Sequence, residues 1–340
     1  MRPKTGGLVI TALVLLVFCG PVGARAPVGD TALRDGGAIP AVHEKWVIPY
    51  LESFSLGPET ERFLGSHTSY EFGNPYPPYQ KPLSRLEFPM DSWWVGGKMR
   101  ANFSRFSVGG EFLTNASQQA NGHMRDSDWD DDTHPSLKTI YSESQCHIAT
   151  SYIASTDMDL KISDWTYQPQ WLDLRPLAGF RCQNLHFVTH DGEQRDLTTG
   201  ETTPLPGNGI DFKQKYRQYF VGGRAAIDLG KPFRLESLVL LLQFDWAYVE
   251  GANVDHHLLR EGNRFTYEDT RGDGRHGTAG VKAGLTKNLS LTMQADFLSL
   301  STTGWHRLVN PTYDMDMRFN NGVKVWSDQN TLSLTLAYAF

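Results

Sequence analysis

Residues 330–340 read NTLSLTLAYAF, and the reading of this run decides the architecture. Successive side chains of an extended strand point to opposite faces. Leu332, Leu334, Leu336, Tyr338 and Phe340 therefore share one face, while the other carries mostly small or polar residues such as Thr331, Ser333 and Thr335. The last strand of a soluble sandwich would alternate too. Here, however, the apolar face runs unbroken to a terminal aromatic, as expected where lipid replaces the hydrophobic core and the polar face lines a lumen.

The opposite end of the chain agrees. Arg2 and Lys4 precede an apolar stretch from Leu8 to Phe18, followed by Pro21 and the small residues Gly23, Ala24 and Ala26. This is the pattern of a secretory signal peptide, with cleavage expected after Ala24. Cys19 follows bulky Phe18, where lipid attachment would want a small residue. The apolar run is short for a spanning helix, and nothing later reaches the roughly 20 apolar residues such a helix needs. Loss of residues 1–24, which hold Arg2 and Lys4 and no acid, takes the formal charge from -6 to -8. A mildly acidic chain without a basic stripe excludes nucleic-acid binding. Cys146 and Cys182 would sit in a compartment that permits disulfides. The expected strand pairing leaves them out of register, so two thiols are expected.

Alternating or mixed apolar segments recur near 62–72, 84–102, 105–118, 140–161, 174–190, 209–228, 237–253, 276–286, 289–304 and 328–340. That makes ten, an even number. Connectors alternate between tight turns, as at Lys287-Asn288 and around Gln168-Pro169, and long polar stretches at 119–139, 188–208, 254–275 and 305–327. The pattern predicts an all-β fold: a ten-stranded transmembrane antiparallel β-barrel of the bacterial outer membrane, with long extracellular loops and short periplasmic turns. The expected organisation is a signal peptide over 1–24, a mobile N-terminal extension over 25–60 and a barrel over 61–340.

Two polar clusters stand out against this pattern. In Asp126-Ser127-Asp128 and Asp255-His256-His257 the outer residues are two apart, so on a strand each pair shares a face. From a periplasmic N-terminus, the loops after strands three and seven both open on the extracellular rim, roughly across the barrel. Three carboxylates and an imidazole could then converge on one water, with no metal and no nucleophilic side chain. His256 should face away. The acids at 126–132 lack the glycine and glutamate an EF-hand requires, with Asp131 and Leu137 in those places. Arg271-Gly272-Asp273 is a triplet that arises easily in a glycine-rich loop.

With MRDSDWDD at 124–131, VEGANVDHH with NRFTY across 249–267, DMDLKISDW at 157–165 and the barrel-wide loop rhythm, the chain resembles the omptin family of outer-membrane proteases. That resemblance implies a ten-stranded barrel and an extracellular groove for peptide hydrolysis. It implies that Asp126 and Asp128 bind the water while Asp255 and His257 form the activating dyad. It also implies peptide or protein substrates and lipopolysaccharide as an activating lipid partner; no other cofactor is expected. Members that cut between basic residues carry an acid two positions before the dyad aspartate, where this chain has Asn253. A second pocket acid lies on the first strand, where strict spacing selects Tyr70 and a one-residue slip would select Glu71. Asn253 and Glu71 are thus the substrate-binding candidates, but an amide cannot replace the charge, and a preference for basic residues rests only on the general excess of acids around Asp126 to Asp132. The alternative is a non-catalytic barrel, a small pore or an adhesin, that kept an acidic groove.

Overall fold

The computed structural model describes residues 50–73, 82–131, 133–162, 166, 169–232 and 235–340. The signal peptide expected at 1–24 and the extension as far as residue 49 lie outside them. The chain divides at Val47, and all that follows concerns the unit from Ile48 to Phe340.

Fourteen strands follow one another: β1 Leu51–Phe63, β2 His67–Gly73, β3 Pro82–Pro89, β4 Trp93–Phe103, β5 Phe106–Asn115, β6 Gln119–Asp128, β7 Ile140–Ile148 and β8 Tyr152–Leu160, then β9 Leu172–Asp196, β10 Thr202–Asp228, β11 Ser237–His257, β12 Arg264–Gly284, β13 Leu289–Asn310 and β14 Met315–Ala339. The first eight are four barrel staves, each broken once. At the membrane end the ring runs β1-β4-β5-β8-β9 and on through β14, and β14 closes it on β1. At the other end β14-β2-β3-β6-β7-β9 completes a second ring of ten over the same six unbroken strands. All neighbours are antiparallel. The fold is the expected ten-stranded transmembrane barrel.

The breaks share one belt. Phe63 N–H bonds Ser92 C=O (3.0 Å), Met90 N–H bonds Ser66 C=O (2.9 Å), and Ala116 N–H bonds Trp93 C=O (2.7 Å). Leu64 N–H reaches Asn330 C=O across the closing seam at 2.9 Å. Interrupted ladders bend and twist a sheet locally. Here they divide one wall of the barrel, whose upper part carries β2, β3, β6 and β7, while β9–β14 run through unbroken.

Below the belt, the alternation of the C-terminal strand is realised as read. Leu332, Leu334, Leu336 and Tyr338 are exposed, while Thr331, Ser333 and Thr335 are buried. Met99, Phe112, Val221, Phe244, Trp246, Met293 and Phe297 extend the outward apolar band around the ring. The lumen beneath is charged and internally paired: Asp159 accepts from Arg100 (2.6 Å), Arg224 (2.6 Å) and Arg175 (3.0 Å).

Above the belt, the sequence reading needs correction. The stretches 119–139, 188–208, 254–275 and 305–327, expected as loops, are largely strand, and β10 alone has 27 residues. A membrane crossing takes about 9–11 residues of tilted strand, so more than half of β10 stands outside the lipid. There neither face meets hydrocarbon, so the apolar alternation fades while ladder hydrogen bonds still pair the backbone. Arg271-Gly272-Asp273, read as loop, lies inside β12 opposite Ser301–Thr303, and a Cβ on Gly272 would stand 2.0 Å from Ser301 O. The barrel also begins at Leu51, ten residues before the expected start, within the stretch read as extension. Cys146 and Cys182 are buried and not bridged.

An aromatic layer fills the lumen just above the belt. Phe88 and Phe212 stack at 4.4 Å and 9°, Phe187 lies 5.3 Å from Phe88, and Tyr70 lies 5.3 Å from Phe212. All four are fully buried. This layer ties β2 and β3 to β9 and β10, so Phe212→Ala should cost about 3–5 kcal/mol, read as a lower midpoint in urea unfolding of the lipid-embedded barrel.

Candidate active site

The two clusters flagged in the sequence sit on facing walls at one height. Asp126 and Asp128 belong to β6, where Asp126 pairs in register with Leu86 of β3 and Ser142 of β7, and Asp128 with Ser84 and Ile140. Leu86 is fully buried, and the shared parity aims both carboxylates inward. Asp255 and His257 belong to β11, opposite Phe212 and Ile210 of β10. Going round the upper ring, β6 and β11 are four strands apart one way and six the other.

His257 Nε2 lies 2.9 Å from Asp255 Oδ2. His256 faces the other way, stacked on Phe265 at 4.0 Å and bonded to Asn263 at 2.6 Å, as the parity required. Asp126 and His257 face a common cavity of about 150 Å³, walled also by Met124, Ser142, Leu259 and Arg260. At about 30 Å³ per water, it holds a few waters or a small side chain. A larger cavity of about 470 Å³ lies in the membrane-level lumen around Lys98, Arg100, Asp157 and Asp159. Lys98 is paired there with Glu59 and Glu111, and Arg100 with Asp157 and Asp159; the smaller cavity is the one that Asp126 and His257 share.

Electrostatics divide the four residues. Burial opposes ionisation of Asp255, but the His257 imidazole, the hydrogen bonds from His257 and Tyr70, and Arg264 outweigh it, and its carboxyl ends below the usual range. Burial likewise opposes charge on His257, and the attraction of Asp255 overcomes it, so the imidazole titrates above its ordinary value. Asp126 goes the other way: burial first, and then the neighbouring Asp128 carboxylate, push it up to about 7. Burial raises Asp128 as well, against the pull of Ser84, Arg260 and His257. The site thus holds an ionised acid bonded to a histidine, facing a carboxyl pair of which one member keeps a proton near neutrality. Two like charges on adjacent inward positions cannot both ionise cheaply.

Asn253 lies two residues below Asp255, buried and opposite Glu268 of β12. Neither of its amide atoms finds a partner among the described residues. Glu71 is not in the groove. The register has not slipped: inward Tyr70 pairs with Leu86, and Glu71 pairs with Arg85 on the outer face, held at 2.9 and 2.7 Å by that guanidinium. Strand parity alone forbids both residues from facing in.

Two groups at the site were not assigned roles from the sequence. Tyr70 donates its hydroxyl to Asp255 Oδ2. Glu268, buried beside Asn253, accepts from or shares a proton with His306 Nδ1 at 2.9 Å. Glu268 could have been found by parity, since it faces in like Thr266 and Thr270. Its distance from the motif along the chain hid it. Among the described residues no group of three or more His, Cys, Asp or Glu side chains is placed to hold a metal.

Comparison with known proteins gives one family and one fold. The model of the omptin family matches residues 80–340. Among solved structures, the outer-membrane protease OmpT from Escherichia coli superposes with a TM-score of 0.75 at 14% identity, covering 87% of this chain and 99% of that one. The translocator domain of the autotransporter NalP from Neisseria meningitidis matches at a TM-score of 0.35 and 7% identity, covering 85% of this chain and 89% of that one. No curated protein matches the sequence directly.

The carboxyl pair generates a prediction that needs no substrate. Carbon-13 NMR of labelled aspartates should find the Asp126 carboxyl titrating near 7. Asp128→Asn should move it down, because a like charge has gone. An unmoved titration would mean the two carboxylates do not sense each other.

Proposed function

Because the chain belongs to the omptin family, a family of outer-membrane proteases, we propose that it is an endopeptidase cutting extracellular peptides or proteins with a water activated at Asp126, Asp128, Asp255 and His257. The observation that carries this reading is the 150 Å³ cavity with Asp126 on one wall and His257, which is bonded behind to Asp255, on the other.

Each residue then has a definite task. The His257 nitrogen not engaged by Asp255 takes a proton from the water as it attacks the peptide carbonyl. Ionised Asp255 orients the ring and stabilises the imidazolium that forms. The protonated member of the Asp126–Asp128 pair donates to the water or to the carbonyl oxygen, and its ionised partner accepts from the water. When the tetrahedral intermediate collapses, the imidazolium returns its proton to the leaving amine. Atoms and charge balance over the cycle.

An outward orientation of the groove is part of this reading, and the connections support it. The turn joining β12 to β13 is tight, with Thr286 Oγ1 accepting from Asn288 N–H and Leu289 N–H, and it lies at the same end as Phe340. Short turns belong on the periplasmic side of such barrels, which supports a cavity open to the outside of the cell. Lipopolysaccharide is proposed as the activating lipid, so refolding in its presence is the proper assay condition.

A preference for basic residues receives narrower support. Glu71 is on the outer face, Tyr70 fills the place of one pocket acid, and Asn253 brings no charge. Glu268 is the inward carboxyl left on that wall, and it is already bonded to His306. Peptides with Arg, Gln or Leu before the cut should therefore be hydrolysed within about tenfold of one another, the scale of one charge-assisted bond. A preference of a thousandfold for Arg would show that a free acid faces the substrate.

Asp255→Ala and His257→Ala should each lower kcat/KM by about 10²–10⁴-fold, in barrel refolded with lipopolysaccharide and offered a random peptide mixture. Wild-type hydrolysis should rise with pH through a limb lying above 6.5, because a base with a raised pKa becomes neutral only at higher pH. Intact peptides with wild-type protein, or undiminished cleavage by both variants, would remove the proposal.

A further inference from the structure

Tyr70 is fully buried, and its ring is gripped by Phe212 at 5.3 Å and by Phe72 at 6.4 Å, with Phe72 itself stacked on His306 at 4.7 Å. Its hydroxyl donates to Asp255 Oδ2, the same oxygen that meets His257 Nε2. Oδ1 of Asp255 has no partner among the described residues. A single carboxylate oxygen therefore serves two donors, one of which is locked in an aromatic stack and the other faces the cavity.

We propose that Tyr70 is a positioning residue that completes a Tyr70–Asp255–His257 triad, fixing the carboxylate against the imidazole and moderating the basicity of His257. This rests on the reading of His257 as the general base. Two physical consequences follow from the bond. A carboxylate held by a single neighbour can rock about its Cβ–Cγ axis, whereas a second donor from a rigid ring fixes its plane and hence the ring orientation of His257. A neutral hydroxyl also withdraws negative charge from Oδ2, so Asp255 stabilises the imidazolium less than it otherwise would. Tyr70 stays a donor throughout, because burial and the nearby Asp255 and Glu268 carboxylates oppose its ionisation.

Other charges facing this triad are few. Asp126 and Asp128 approach from β6, Arg264 and Glu268 from β12, Arg260 from the β11–β12 connection, and His306 from β13, bonded to Glu268 and stacked on Phe72. From β10 the neighbours are Ile210 and Phe212, and from β3 Leu86, none of which titrates. Phe substitution at residue 70 changes none of these and keeps the stacking ring, so the hydroxyl can be deleted almost alone.

With the hydroxyl gone, the charge on Asp255 is fully available to the imidazolium, and His257 should titrate at higher pH. The acidic limb of kcat/KM for Tyr70→Phe should shift upward by about half to one pH unit, with kcat reduced about 10–100-fold and KM within about twofold, on the scale of one hydrogen bond to a charged group. In an Asp255→Asn background the same change should cost less than about threefold, because the partner it acts through is absent. The His257 titration is also read directly, by NMR of ring-labelled histidine in refolded barrel, which needs no turnover. An upward shift of that titration in Tyr70→Phe supports the triad even if no peptide is cut, in which case the protease reading alone fails. Identical titration curves in wild type and variant overturn the proposal, as does full additivity with Asp255→Asn.

Discussion

The ladder between β1 and β14 is the constraint on which everything else depends. In hydrocarbon no water satisfies an unpaired N–H or C=O, so a sheet can cross a membrane only if its two edge strands find each other. Here Ser55 through Phe63 meet Ala339 through Thr331, and the C-terminal strand with its apolar face is the piece that makes the closure. Once closed, the ring reverses the usual sense of burial: threonines and serines of β14 are inside, and its leucines are outside.

Closure also fixes where chemistry can occur. Inside the membrane much of the lumen's charge is spent internally, with Arg100, Arg175 and Arg224 converging on Asp159. The broken belt and the aromatic layer of Phe88, Phe187, Phe212 and Tyr70 separate that lower lumen from the upper one. Above it the strands continue without lipid on either face, and the walls are free to present polar side chains to each other. A site made of Asp126, Asp128, Asp255 and His257 can form there because β6 and β11 are held apart by rigid ladders, at a separation that leaves a small cavity.

The same layer joins structure to reactivity. Tyr70 belongs both to the aromatic stack and, through its hydroxyl, to the acid of the dyad. Packing in the barrel interior is thereby coupled to the orientation of His257. The wall below the dyad, with Asn253 and Tyr70 where a basic pocket would want acids and Glu268 engaged by His306, departs from the pattern of members that cut between basic residues.

Much was legible in the sequence, for physical reasons that operate locally. Period-two alternation at 330–340, tight turns and the two i, i+2 polar pairs need only strand geometry to be read, so the ten-stranded ring, the inward faces of Asp126 and Asp128, and the divergence of His256 from His257 followed without coordinates. The extent of the strands above the membrane did not, because β6, β10 and β12 there lack an apolar face and are held by hydrogen bonds to distant neighbours. Nor did the choice between Tyr70 and Glu71, which depends on the pairing of β2 with β3 and β14. The bond from Tyr70 to Asp255 spans 185 residues of sequence, and only the closed tertiary structure, by bringing β2 to face β11 across the lumen, could decide it.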